Sequence, residues 1–157
     1  MIDFEIREAQ ESDGDELFEL YAMVVEEGNA FPAAPPAARE DFERMWIRDK
    51  TIVLVARSGG RLAGSYHLVP NFGGRAAHIG NAGYMVHRDF RRQGIGRALV
   101  EHSIEEARRQ GFDALMFNLV FESNPARYLY EGFGFKAVGR VPEAVEGEDA
   151  IVYWRRV

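Results

Sequence analysis

Residues 77–121 read as a strand, a loop of glycines and arginines, an amphipathic helix and a second, largely apolar strand. No other stretch constrains the fold as much. The helix is expected from about Gly94 to Gln110, with Ile95, Leu99, Val100, Ile104 and Ala107 on one face. Gly111 stands where a left-handed residue ends a helix. DALMFNLVF, residues 113–121, reads as a buried strand. A helix joining two strands must bury its apolar stripe on their sheet, so the chain is α/β with a mixed sheet.

The flanking sequence supplies further strands and helices. Phe4 and Ile6 alternate with charges, a short first strand. A helix is expected over 13–27, with Leu17, Leu20, Tyr21 and Val24 on one face, and another over 36–49 with Pro36 near its start. TIVLVARSGGRLAGSYHLVPN, residues 51–71, reads as a hairpin turning at Gly59–Gly60. After the buried strand come a short helix over 124–132 and strands over 135–141 and 150–154. The segment NAFPAAPPAARE carries three of the six prolines and is a stiff, non-helical connection. It reads equally as a plain loop between helices or as a lid over a substrate. With no repeat and no obvious linker, residues 1–157 are expected to form a single domain.

Composition excludes several functions. A net charge of −6 argues against nucleic acid as the main partner. The absence of cysteine removes disulfides, a thiolate nucleophile and cysteine metal sites. The opening MIDFEIREAQ shows no basic-then-apolar leader, and no apolar run is long enough to span a membrane, so a cytoplasmic protein is expected. Four scattered histidines lack metal-ligand spacing, and no metal is expected.

Against that acidic background, Arg88, Arg91, Arg92 and Arg97 gather around Gly94 and Gly96. The glycines let backbone approach a ligand closely, and the amides from Arg92 to Arg97 lie where a helix N-terminus favours an anion such as phosphate. A dinucleotide fingerprint would need a third glycine where Leu99 stands, and the phosphate-loop signature ending in Gly-Lys-Ser/Thr is absent. The bland alternative is an ordinary glycine-rich turn with solvated arginines.

Arg91-Arg92-Gln93-Gly94-Ile95-Gly96 resembles the Arg/Gln-x-x-Gly-x-Gly/Ala loop of the GNAT-type N-acetyltransferase superfamily. A second segment, Asn124 through Tyr130 to Phe135, resembles that family's Asn-x-x-Ala-x-x-Leu-Tyr-x-x-x-Gly-Phe pattern in the right order. The resemblance implies a GNAT-type fold: a mostly antiparallel sheet with a splayed parallel strand pair and about four helices. It implies acetyl-CoA as co-substrate, its pyrophosphate on Arg91, Arg92, Gln93, Gly94, Ile95, Gly96 and Arg97. Its pantetheine arm would pair with backbone near Met85 and Val86. Asn124 would bond the pantetheine or cap the next helix, and Tyr130 would lie near the thioester sulfur as the acid for the leaving thiolate. A homodimer is implied as well, since family members often pair.

GNAGYMV and FNLVFESN are more narrowly similar to segments of the fungal acetyltransferases that act on proline analogues such as azetidine-2-carboxylate. That similarity implies Asn81 in catalysis and Asn118 on the substrate carboxylate. Tyr84 stands where the subgroup has another aromatic of the substrate pocket. The FPAAPP loop and the helix before it would frame that pocket.

The expected chemistry is acetyl transfer to the amine of a small molecule, an amino acid or proline analogue, by direct attack in a ternary complex. Glu26, Glu27, His67 and His78 are the candidate bases, with water or no base beyond Asn81 equally open. The residues also leave open a protein, lysine, polyamine or aminoglycoside acceptor, and a non-catalytic acyl-CoA-binding module.

Overall fold

The apolar stripe of the long helix decides which face of the sheet it covers. The structure, a computed structural model, describes residues 2–157. Its strands are β1 (Glu5–Glu8), β2 (Ile52–Ser58), β3 (Arg61–Pro70), β4 (Ile79–Val86), β5 (Ala114–Phe121), β6 (Lys136–Val145) and β7 (Glu148–Arg156). They form one seven-stranded sheet in the order β1-β2-β3-β4-β5-β7-β6. Every neighbouring pair is antiparallel except β4 and β5. The parallel pair is the one that the expected strand–helix–strand unit requires.

Helix α3 (Ile95–Arg109) packs Ile95, Leu99, Val100, Ile104 and Ala107 onto one sheet face, against Tyr66, Leu68, Leu115 and Phe117. Helix α1 (Gly14–Glu27) covers the other face with Leu17, Leu20, Tyr21 and Val24, joined by Phe42 and Trp46. Alternation along β3 serves both layers: Tyr66 and Leu68 point to α3, while Ser65 accepts the Trp46 indole N–H at 3.0 Å on the opposite side. No helix among the described residues is long and apolar enough to cross a membrane.

The expected helix over 36–49 is shorter and differently wound. One α-turn, α2 (Arg39–Phe42), follows extended Ala38 and passes into a π-type turn over Glu43–Ile47, closed by Arg48 N–H on the Glu43 carbonyl at 2.7 Å. Pro36 lies outside it, and extended Arg48 followed by Asp49 at φ 60° ends it. Anchoring Trp46 in the core favours the wider turn. The last strands also run longer than expected, because β6 and β7 form a hairpin whose turn, Glu146–Gly147, takes positive φ at both residues. Short helix α4 (Arg127–Gly132) lies between β5 and β6.

The sheet changes character at its centre. β3 holds β4 along its length to the Gly64–Val86 pair, and β7 holds both ends of β5, with a bulge at Asn118 and Leu119. Between β4 and β5, however, only Ile79–Ala114 and Gly80–Leu115 pair. Beyond them the strands part.

Close packing beside the part is tight. A Cβ on Gly64 would lie 2.8 Å from the Met85 carbonyl oxygen and 3.0 Å from Leu99 Cδ1. Gly64→Ala should therefore destabilise the fold by about 1–3 kcal/mol, whereas Gly14→Ala, with open space around it, should not. Chemical denaturation of both variants checks this.

Candidate active site

The β4–α3 connection carries two residues in the left-handed region, Arg92 at φ 60° and Gly94 at φ 86°. Only glycine takes the second without cost, and it starts α3. The first amide to find an intrahelical partner is that of Ala98, on the Gly94 carbonyl at 3.0 Å. Among the described residues, the amides from Arg92 to Arg97 bond no main-chain carbonyl, which leaves a row of donors at the positive end of a helix dipole.

Gly96 has a different reason to be glycine. Its φ is ordinary, and a Cβ there would meet Leu129 and Val86 only at 3.5 and 3.6 Å. The fold has room for a methyl group at this position, so packing alone does not require glycine there.

The arginines do not all face that anion. Arg91 forms a two-pronged pair with Glu27 at 2.6 and 2.8 Å and also donates to the Val86 carbonyl. It ties the loop to the end of α1 and to the end of β4. The Arg97 guanidinium lies 4.9 Å from the Phe133 ring centre, and Gln93 donates to the Asp89 carbonyl. Amides, more than side chains, are what the loop offers a pyrophosphate.

Where β4 and β5 part, a cavity of about 330 Å³ opens on the α1 side. Tyr21, Phe31, Trp46 and His67 wall one end, and Asn81, Gly83, Asn118, Asn124 and Tyr130 border the strands. Phe31 stacks on Tyr21 and leans on Trp46, both at 5.8 Å, so the proline-rich connection forms a wall of the cavity. Met85 packs with the α1 side, and Val86 ends β4 beside Gly96.

Asn81, expected in catalysis, and Asn118, expected on the substrate carboxylate, meet through a residue the sequence did not single out. Asn118 and Asn71 exchange amide hydrogen bonds at 2.6 and 2.9 Å. Asn81 Nδ2 donates to the Asn71 oxygen at 3.2 Å, and its own oxygen accepts from Ala82 N–H. Asn71 sits just after Pro70, in a stretch that looks like a turn, which hid its role. Tyr84 turns its hydroxyl to Ser103 under α3, at 2.6 Å, and offers the cavity only its ring. Asn124 accepts from Ala126 N–H at 2.9 Å, a turn just ahead of α4, and also lines the cavity; the residue that caps α4 is Ala126.

Tyr130 is 6% exposed, its ring 4.8 Å from Phe117, and it borders the cavity. Burial first, then the neighbouring Tyr153, push its phenol well above the ordinary range. It stays protonated and able to donate.

The candidate bases separate clearly. His78 precedes β4, is exposed and pairs with the Arg75 carbonyl at 3.0 Å, away from the cavity. Glu27 is held below the usual carboxylate range by its bonds to Arg91, against the cost of burial. Exposed Glu26 does not line the cavity. His67 does line it, but burial and then the charge of Lys50 push its pKa down to about 3, so it is a neutral ring. No Asp or Glu lines the cavity, and among the described residues no three metal-binding side chains cluster.

Over residues 15–135 the chain matches the acetyltransferase (GNAT) family, and it belongs to that family. It is similar to the N-acetyltransferase aca1 of Schizosaccharomyces pombe, 38% identical over 84 residues that make up 53% of this chain and 40% of that protein. It is also similar to protein SPT10 of Saccharomyces cerevisiae, 35% identical over 82 residues, 52% of this chain and 13% of that one. The matched segments span less than half of either relative. A solved GCN5-related N-acetyltransferase from Kribbella flavida superposes with a TM-score of 0.91 at 30% identity, covering 98% of both chains.

Two expected outcomes follow from the loop geometry. Gly96→Ala should leave thermal stability unchanged or raise it by up to ~1 kcal/mol, because alanine favours a helix. Calorimetry should show CoA affinity falling by about tenfold or more as the methyl group displaces the phosphate. Glu27→Gln removes the ion pair that holds the loop and should weaken CoA binding by up to about fivefold, the scale of one exposed pair. Because the Glu27 pKa is lowered in the folded state, wild-type affinity keeps this contribution at neutral pH and loses it only as pH falls through that lowered value.

Proposed function

We propose that the chain is an N-acetyltransferase moving the acetyl group of acetyl-CoA to the amine of a small molecule, an amino acid or proline analogue. The observation that carries this reading is the parting of β4 and β5 between two different sites. One end meets the free amides before Ala98, suited to a pyrophosphate; the other opens into a cavity of about 330 Å³, sized for a small ligand. Backbone groups of β4 that no longer pair with β5 are available to a pantetheine arm near Met85 and Val86. The family's solved members support acetyl-CoA as co-substrate: a phosphinothricin acetyltransferase from Sinorhizobium meliloti with the same fold was solved with it (TM-score 0.87, 18% identity, 98% of this chain and 88% of that one).

In this reading the acceptor nitrogen, neutral, attacks the thioester carbonyl carbon from the cavity. A carbon–nitrogen bond forms, the carbon–sulfur bond breaks, and the nitrogen sheds a proton to water. The leaving thiolate takes its proton, or a strong hydrogen bond, from the Tyr130 hydroxyl. The Asn81–Asn71–Asn118 cluster lines the approach and keeps its amides aligned there. With no cysteine in the chain, direct attack in a ternary complex is the simplest route.

A polyamine, lysine or aminoglycoside acceptor fits less well, because no carboxylate lines the cavity to meet a second positive charge. An acyl-CoA-binding module without catalysis would have no use for the cavity or for a phenol at its edge.

Release of CoA across a panel of small amines tests the activity. Tyr130→Phe keeps the ring and removes only the hydroxyl. It should lower kcat by roughly 10- to 100-fold with little change in CoA affinity. Wild-type kcat in that variant, measured where chemistry limits the rate, would make Tyr130 a core aromatic only.

A further inference from the structure

Lys50 stands two residues before β2 and is half-buried at the wall of the cavity. Its ammonium donates to the Arg44 and Arg48 carbonyls, each at 3.0 Å. An ammonium has three donors, so one N–H is uncommitted. The neighbouring arginines have carboxylate partners: Arg44 pairs with Asp41 at 2.7 Å and Arg48 with Glu40 at 3.2 Å. Lys50 has none within ion-pair distance among the described residues; exposed Asp49, next to it in the chain, acts on it only through space.

A cation partly removed from water without a counter-ion is costly to keep. Burial already weakens its hold on the proton, and its charge reaches His67 across the cavity wall. Asn118, the expected carboxylate ligand, has its oxygen and one of its two amide N–H groups engaged by Asn71. The cavity wall therefore carries two cations, Arg44 in an exposed pair with Asp41 and Lys50 without a carboxylate partner, together with no carboxylate and the aromatic faces of Trp46 and Phe31.

We propose that Lys50 is the specificity-determining cation of the acceptor site and binds a carboxylate carried by the acceptor, so that the substrates are amino acids and not simple amines, amides or diamines. This rests on the acetyltransferase reading above and names its substrate class. The same charge serves the chemistry. A second cation in the cavity is repelled, so the acceptor nitrogen sheds its proton on entry and arrives as the nucleophile, without a protein carboxylate as base.

The bonds to Arg44 and Arg48 also fit a purely local role, closing the π-type turn. The test separates the two by comparing amino acids with their own amides in one protein preparation, where any general loss of fold or activity cancels. Wild-type kcat/KM should favour the acid over its amide by about tenfold or more. Lys50→Met should bring that ratio close to one by raising KM for the acid, with the KM for acetyl-CoA unchanged. Lys50→Arg should retain most of the preference.

A Lys50→Met enzyme that keeps the wild-type ratio would reduce Lys50 to a turn cap and overturn the proposal. A wild-type preference for amides or diamines would overturn it too, while leaving the acetyltransferase reading intact. CoA release with no amine of either class would remove that reading and this one together.

Discussion

Just two residue pairs join β4 to β5, and the functional geometry depends on the ladder stopping there. Each strand is held on its outer side, β4 by β3 and β5 by β7, so the two halves of the sheet can diverge without either fraying. The divergence leaves inner-edge N–H and C=O groups in the middle of a sheet. Such groups need partners, and an extended ligand lying in the gap supplies them as a further strand would. The glycine-arginine loop before α3 and the cavity are both reached from this one defect, and in the proposed function a long thioester would run from one to the other.

Charge tells the same story in more detail than a net count can. The chain is acidic overall, at −6, yet no carboxylate lines the cavity. Much of its positive charge is spent internally. Arg91 is held by Glu27, Arg61 by Asp89, and Arg7 and Arg57 both by buried Asp13. Arg88, Arg92 and Arg97, around the backbone amides of the α3 N-terminus, have no carboxylate partner among the described residues, and neither has Lys50 at the cavity wall. Arginines clustered near a glycine loop are thus poor guides to which group meets the anion. Arg91 is tied to Glu27 and to the Val86 carbonyl, while the amides that follow it are left without main-chain partners.

The central unit was legible because its signals are local. A 3.6-residue apolar period on α3, glycines before and after it, and an apolar strand on either side can be read within a few dozen residues. Tyr130 and Asn124 were equally legible, through a pattern contained in one short segment. The asparagine cluster was not: its Asn71–Asn118 bonds join positions 47 residues apart. Asn71 follows a proline and precedes Phe72 and two glycines, so locally it says only turn. The helix over 36–49 went astray for a related reason. Its periodicity is helical, but the burial of Trp46 against Ser65 rewards a wider turn than periodicity can signal.

The sequence by itself determined the layered α/β architecture, the parallel pair, the anion-ready loop and the candidacy of Tyr130, because each follows from side-chain period, glycine placement or a short motif. Only the tertiary structure decided that His78 leaves the site while His67 stays as a neutral wall, that Arg91 pairs with Glu27, and that Lys50 lines the cavity without a carboxylate partner among the described residues. The physical reason is common to all of them. A charge or a ring nitrogen acquires its role from what lies within a few ångströms of it, and those neighbours come from elements that are remote along the chain.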